Sequence, residues 1–176
     1  MGTIKHPDKV KLIAGLLSGD AALFQKVKKR LEEICGAVDL ESGILDFGHT
    51  DYYRKEMGGD LKRIFYSFKR PAGLADIYKV KLRTNLIEKR FLANGKRAVN
   101  IDPGYLNLSK LVVFSTKDYT HRIYLNKGIC AEVTLFYKDG TYNPWPWTYP
   151  DYKTGPYIKF FNSVRAIYKE GGKATL

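Results

Sequence analysis

The sequence predicts an α+β fold: a single domain with a largely antiparallel or mixed sheet and about three to four helices packed on it. Strand-like and helix-like segments alternate irregularly along the chain, and a tight hairpin is evident, which is typical of this class. With 176 residues and 20.1 kDa, the chain can bury about two thirds of its unfolded surface. An apolar fraction of 44% with 27% charged residues argues against a wholly disordered chain.

Four segments read as strands. The run VKLIAGLLSG at 10–19 is apolar and ends in turn residues, as a buried strand does. Residues 44–47 and 61–69 are rich in strand-forming residues and flank a polar loop. Residues 98–102, AVNID, form another predicted strand, which we expect to turn at the sequence DPG.

Two helices are predicted from apolar residues at helical spacing. The first begins after Ser18 or Asp20, either of which can cap it, and ends at Gly36. The second covers about 156–170 and ends at two glycines. Their apolar positions are Leu23, Val27, Leu31 and Ile34 in the first, and Ile158, Phe161, Val164, Ala166 and Ile167 in the second.

Three further segments are less clearly defined. Residues 74–83 fit either a helix or a half-buried strand. Asn85 and Glu88 have the spacing of a capping box, which predicts a short helix over 86–93. Residues 108–114 are apolar in both periods, and the capping residues near their start favour a helix.

The run DYTHRIYLNKGICAEVTLFY at 118–137 is predicted to be a hairpin. The loop NKG at 126–128 suits a three-residue turn with glycine in the left-handed conformation. That turn places Arg122 opposite Glu132 and leaves His121 at the end of an apolar face. The predicted apolar face consists of Ile123, Leu125, Ile129, Ala131, Val133 and Leu135.

The polar residues of this hairpin have two interpretations. Arg122 and Glu132 can form a cross-strand surface pair worth about 0.2–1 kcal/mol, or they can line a pocket where the guanidinium recognises a phosphate or carboxylate. His121 can be a hydrogen-bonded structural residue. It can also be a general acid or base, oriented by a carboxylate such as that of Asp118.

The chain carries 30 Lys and Arg against 18 Asp and Glu, a net charge of +12. The excess is compatible with a solvated basic face or with a phosphate-bearing partner, including nucleic acid. The two cysteines are too few for a disulfide framework, which indicates a reducing, cytoplasmic compartment. No apolar run is long enough for a membrane span, and MGTIKHPDK has no apolar signal core.

High-specificity catalytic motifs are missing from the sequence. AGLLSGDA lacks the lysine of a phosphate-binding loop. The loop with Asp46, His49 and Asp51 could hold a metal, but no second ligand pair accompanies it, so solvated Asx turns are the preferred interpretation. We therefore expect neither a metal site nor a cofactor.

The sequence resembles one prokaryotic family over almost its whole length. The strings that carry the resemblance are VKLIAGLLSG, DYYRKEMGG, VNIDPGYLNLSKLVVFSTKDYTHRIYL, GICAEVTLFY and PWPWTYPDYKT. They are similar to those of the domain of unknown function family 4416. The resemblance implies a small single-domain cytoplasmic protein and transfers no catalytic residues.

These observations lead to a first functional hypothesis, the binding of a phosphorylated small molecule or an RNA element in a basic pocket. An enzyme acting on a phosphate ester or nucleotide, with His121 as general acid or base, is the alternative. A third possibility is a structural or protein-interaction module using the aromatic stretch 142–152. The candidate ligand-binding residues are Asp102, Tyr105, Lys117, Asp118, Arg122 and Glu132.

Overall fold

The structure is a computed structural model that describes residues 2–48, 57–93 and 95–173. Within these ranges the α-helices are α1 (Ala22–Cys35), α2 (Tyr78–Arg90) and α3 (Gly155–Lys173), and Pro150–Lys153 form a 3₁₀ turn. The strands are β1 (Val10–Ser18), β2 (Val38–Glu41), β3 (Leu45–Asp46), β4 (Lys62–Ala72), β5 (Leu92–Ala93), β6 (Lys96–Arg97), β7 (Asn100–Leu106), β8 (Lys110–Ser115), β9 (Ile123–Asn126), β10 (Ile129–Lys138) and β11 (Thr141–Pro144).

Nine of these strands form one sheet in the order β11-β10-β8-β7-β1-β4-β2, with β3 beside β4 and β9 beside β10. Every strand pair in it is antiparallel. Strands β5 and β6 form a separate two-stranded pair. The α+β prediction is confirmed. No helix among the described residues is both long and apolar enough to cross a membrane.

Helices cover both faces of the sheet, and the alternation of side chains along β1 shows how. Leu12, Ala14 and Leu16 pack into a core with α1 and α2, whereas Ile13 packs into a second core with α3. Because successive side chains of a strand point to opposite faces, the two cores lie on opposite sides. A strand buried on both faces reads as the continuous apolar run seen at 10–19.

Strands β7 and β8 separate into a fork. They pair only where Gly104–Leu106 face Leu111–Val113. Beyond that point the backbone of Ile101 bonds to side chains of α2: its N–H donates to Glu88 Oε1 at 2.6 Å, and its carbonyl accepts from Lys81 Nζ at 2.7 Å. The Ile101 backbone groups on the open side of β7 therefore form hydrogen bonds without a neighbouring strand.

The predicted turn at DPG is wrong, because β7 runs through it to Leu106. Backbone groups of alternate residues point to the same side of a strand, so Pro103 faces the same side as Ile101, toward the fork. There it pairs with no residue of β8. The missing N–H of proline consequently costs no ladder hydrogen bond.

Two other predictions from local pattern are wrong. The capping box does not start a helix, because Asn85 and Glu88 lie inside α2 and Glu88 bonds to β7 instead. The segment 108–114 forms strand β8 rather than a helix, because it pairs on both sides, with β7 and β10. The ambiguous segment 74–83 contains the start of α2 at Tyr78.

The two helices predicted from apolar spacing are confirmed as α1 and α3, and the strands predicted over 10–19, 44–47 and 61–69 are present. Asp20 Oδ1 accepts the Ala22 N–H at 2.9 Å near the start of α1. Gly36 follows α1 with a φ of 92°, a conformation that glycine adopts at little cost.

The hairpin is present with part of the predicted register. Ile123 faces Ala131 as expected, but a bulge between Ile129 and Cys130 pairs Ile129 with Asn126, so the predicted pairing of 125 with 129 is wrong. The prediction that Ile123 and Leu125 are buried is also wrong, because both are exposed. Only the β10 half of the hairpin is buried, since β9 lies beside it at the margin of the sheet.

Candidate functional site

A cavity of about 740 Å³ extends from the fork between β7 and β8. Strands β4, β7, β8 and β10, helix α2 and the 3₁₀ turn all contribute side chains to it. Among the described residues, six cationic side chains and four carboxylates line it, so the cations exceed the carboxylates by two. They are Arg63, Lys81, Lys89, Arg97, Lys117 and Arg122, with Glu88, Asp102, Glu132 and Asp151.

Arg63 extends from β4 into this cavity with its side chain 2% exposed. Its Nη1 donates to Asp102 Oδ2 at 2.9 Å, and its Nη2 to Asp151 Oδ2 at 3.4 Å. Gly15 on the neighbouring strand makes room for this arrangement: a Cβ there would lie 2.7 Å from the Phe65 ring and 3.2 Å from Arg63 Nη1. The glycine inside β1 is thus explained mainly by the Phe65 ring, with the Arg63 guanidinium as a second close neighbour.

The two carboxylates on Arg63 have pKa values shifted in opposite directions. Burial favours the neutral form of Asp102, but the charges of Arg63 and Lys81 outweigh it and lower the pKa of this carboxyl. Burial raises the pKa of Asp151, although Arg63 acts against it. Around neutral pH the ionised form of Asp102 is therefore better stabilised than that of Asp151.

A second charged group lies where α2 meets the fork. Lys81 Nζ is 3.9 Å from Glu88 Oε1, and Arg97 Nη1 is 3.4 Å from Glu88 Oε2. Arg97 Nη1 also donates to Asn100 Oδ1 at 2.8 Å. Burial raises the pKa of Glu88 despite the neighbouring Lys81. Because Lys81 and Glu88 also hold the backbone of β7, they fix the wall of the cavity.

Arg122 and Glu132 form the opposite wall, and their predicted contact is present. Arg122 Nε donates to Glu132 Oε2 at 2.8 Å. Arg122 Nη1 donates to Ser115 Oγ at 2.8 Å and to the Lys117 carbonyl at 3.0 Å, and its Nη2 donates to Tyr149 Oη at 3.4 Å. Four of the five guanidinium N–H groups are thus used within the protein. The pair is buried and lines the cavity, so it is no surface ion pair.

His121 lies behind this pair. Its Nε2 is 3.2 Å from Glu132 Oε2, and its ring stacks on that of Trp147 with centroids 5.9 Å apart. His121 contacts Glu132 but is not one of the residues that line the cavity. Its position suits the orientation of Glu132 better than contact with a ligand.

The structure brings four of the predicted site residues to the cavity and leaves three outside its lining. Asp102, Lys117, Arg122 and Glu132 line it. Tyr105 instead packs beside Phe114 in the core with α1 and α2, with ring centroids 6.0 Å apart. Asp118 is exposed, and His121 contacts Glu132 and Trp147. The outliers are Tyr105, Asp118 and His121.

Sequence reasoning missed several charged residues of the cavity. One of them carried a signal, since Asp151 is the one acidic residue of the aromatic stretch 142–152. Arg63 did not stand out, because the same strand-like run also contains Lys62 and Lys69. The α2 residues gave no such signal, since charged residues are ordinary on a helix surface. The missed charged residues are Arg63, Lys81, Glu88, Lys89, Arg97 and Asp151.

No metal-binding group of three or more His, Cys, Asp or Glu side chains occurs among the described residues. Of the loop considered for a metal, Asp46 is paired with Lys62, while His49 and Asp51 lie outside the described residues.

The family profile described as "Domain of unknown function (DUF4416)" matches residues 8–168. The chain belongs to this family. No curated protein and no solved structure matches the chain.

Proposed function

We propose that this member of the DUF4416 family binds a phosphorylated small molecule, such as a nucleotide, in the fork cavity. The observation that carries the proposal is the cavity itself, with its excess of cationic side chains. Its volume of about 740 Å³ falls within the range of about 300–1,000 Å³ that is usual for small-molecule sites.

The distribution of charge supports an anionic ligand. Lys89 and Lys117 are exposed and line the outer part of the cavity, so their ammonium groups can approach a phosphate without losing all contact with water. Arg97 also lines the cavity and is half-buried beside Glu88. Exposed Tyr149 and Tyr119 add aromatic surface on which a base can stack.

A small molecule is favoured over RNA because the cations converge on one cavity, whereas single-stranded RNA needs a groove that follows its backbone. The proposal places the protein in the cytoplasm, and the free state of Cys35 and Cys130 is compatible with that compartment.

The enzyme hypothesis with His121 as acid or base has weaker support. The imidazole is engaged by Glu132 and Trp147 and does not line the cavity. The enzyme hypothesis would be supported if the protein hydrolysed a phosphate ester and His121→Ala lost this activity while still binding the ester.

The test is a binding measurement by calorimetry with nucleoside monophosphates, sugar phosphates and polynucleotide RNA. Lys89→Ala should weaken binding of a phosphorylated ligand by about three- to ten-fold, because one charge-assisted contact is lost. Lys26→Ala is the matched control, since Lys26 is also exposed and helical but lies on α1 away from the cavity lining.

Equal affinity in both variants and wild type would contradict a phosphate site at Lys89. If only polynucleotide binds, with an affinity that falls steeply with salt, the RNA hypothesis replaces this one. Absence of binding to every phosphorylated compound would refute the proposed function.

A further inference from the structure

The residues at the inner end of the cavity are poorly suited to binding a phosphate group. We call Arg63, Asp102, Asp151 and Tyr152 the inner cluster; all four line the cavity. Arg63 is held between the two carboxylates at 2.9 and 3.4 Å. A phosphate placed here would face two carboxylates besides the one guanidinium, and like charges at close range repel.

The inner cluster also has hydrogen-bonding groups that the protein leaves unused. Arg63 Nε and the Tyr152 hydroxyl are buried and have no hydrogen-bond partner among the described residues. The exposures of the two residues are 2% and 4%. A buried polar group without a hydrogen-bond partner lowers the stability of the fold. Two such groups on residues that line a cavity therefore indicate that a ligand or a water molecule forms hydrogen bonds with them.

Donors and acceptors occur side by side in this cluster. The Tyr152 hydroxyl stays protonated because burial, the largest effect, raises its pKa. Asp102 remains a carboxylate because Arg63 and Lys81 overcome the effect of burial and lower its pKa. A ligand hydroxyl can donate to a carboxylate and accept from an N–H or O–H at the same time, and it carries no charge. Hydroxyl groups therefore fit the inner cluster where phosphate does not.

We infer that the ligand is a phosphorylated polyol, a sugar phosphate or the ribose phosphate of a nucleotide. Its hydroxyl groups bind the inner cluster, and its phosphate points outward to Lys89 and Lys117. This inference rests on the proposed function, and it adds the orientation of the ligand and the part of it that is recognised.

The test compares two single-atom deletions in the same aromatic core. Tyr152→Phe removes a buried hydroxyl that has no partner among the described residues, from a residue that lines the cavity. Tyr157→Phe removes another buried hydroxyl, which also neighbours Arg63 but belongs to a residue that does not line the cavity. The two rings contact each other edge to face with centroids 5.8 Å apart, so the substitutions are closely matched. Both variants should fold, because losing an unpaired buried hydroxyl removes a desolvation cost.

Ribose 5-phosphate, a ribonucleoside monophosphate and methyl phosphate are titrated into wild type and both variants. We expect the two hydroxyl-bearing esters to bind wild type at least about ten-fold more tightly than methyl phosphate. Tyr152→Phe should reduce that advantage by about three- to ten-fold. It should leave methyl phosphate binding unchanged, and Tyr157→Phe should change neither. Preference for the nucleotide over ribose 5-phosphate identifies the nucleotide as the source of the ribose phosphate.

Equal binding of methyl phosphate and ribose 5-phosphate would overturn the inference while leaving the phosphate site in place. An unchanged preference in Tyr152→Phe would also overturn it, since the inner cluster would then hold only water. If none of the three compounds binds, the proposed function itself fails.

Discussion

Removing the Glu132 carboxylate should destabilise the protein more than removing any exposed acidic residue. Its side chain is 3% exposed and accepts from Arg122 Nε at 2.8 Å and from Thr134 Oγ1 at 3.2 Å. Arg122 itself is 4% exposed, so Glu132→Ala leaves a buried guanidinium without its counter-ion. Breaking a buried pair in this way costs about 3–5 kcal/mol.

The measurement is the free energy of unfolding from urea titration. The control is Glu33→Ala, which breaks the exposed Arg30–Glu33 pair, with side chains 49% and 60% exposed. Exposed pairs contribute about 0–1 kcal/mol, so the two variants should differ by at least about 2 kcal/mol. A loss below about 1 kcal/mol in Glu132→Ala would refute the reasoning, because Arg122 would then be compensated by solvent.

Three further perturbations test other parts of the structure. Gly104→Ala should lower the free energy of unfolding by about 3 kcal/mol, because the added Cβ would lie 2.2 Å from a carbonyl oxygen of β8. Gly73 has open space around it and an ordinary φ, so Gly73→Ala should change the free energy of unfolding by less than about 0.5 kcal/mol in the same urea titration. Equal effects of the two substitutions would contradict this explanation. Asp102 has a lowered pKa, so its ionised form stabilises the fold fully above its unfolded pKa of about 3.9, and this stabilisation is lost as the pH falls through the folded pKa. The difference in free energy of unfolding between wild type and Asp102→Asn should therefore be constant above about pH 5 and decrease in acid. A difference that increases in acid would contradict this assignment. Burial raises the pKa of Cys35 to about 12 and also raises that of Cys130. A thiol reagent at pH 8 should therefore modify neither cysteine in the folded protein and both cysteines in denaturant. Rapid modification of the thiols in the folded protein would contradict their burial.

Sequence pattern predicted those elements whose environment is simple. Helices α1 and α3 each bury one stripe against one face of the sheet, so their apolar spacing is clear. Strand β8 was mistaken for a helix because its residues alternate between two buried faces, which removes the contrast that distinguishes period two. Local sequence does not carry the information that both faces are covered.

The site was only half predictable for a related reason. The contact between Arg122 and Glu132 followed from the register of a local hairpin, ten residues apart in sequence. The contact between Arg63 and Asp151 spans 88 residues, and no local rule connects them. Pro103 suggested a turn because the local sequence does not show that Lys81 and Glu88 of α2 bond to the open side of β7 in place of a neighbouring strand.

Strand β1 lies inside the sheet between β7 and β4, and this position matters while the chain is being synthesised. All nine residues of β1 are buried, yet its two neighbours, β4 and β7, extend to Ala72 and Leu106. At a synthesis rate of about 5–20 residues per second, β1 emerges on the order of seconds before its partners. During that interval it is an apolar segment with unpaired edges, the kind of segment that aggregates or is bound by chaperones. A strand that is buried on both faces in the finished sheet is therefore a part of the nascent chain that needs protection.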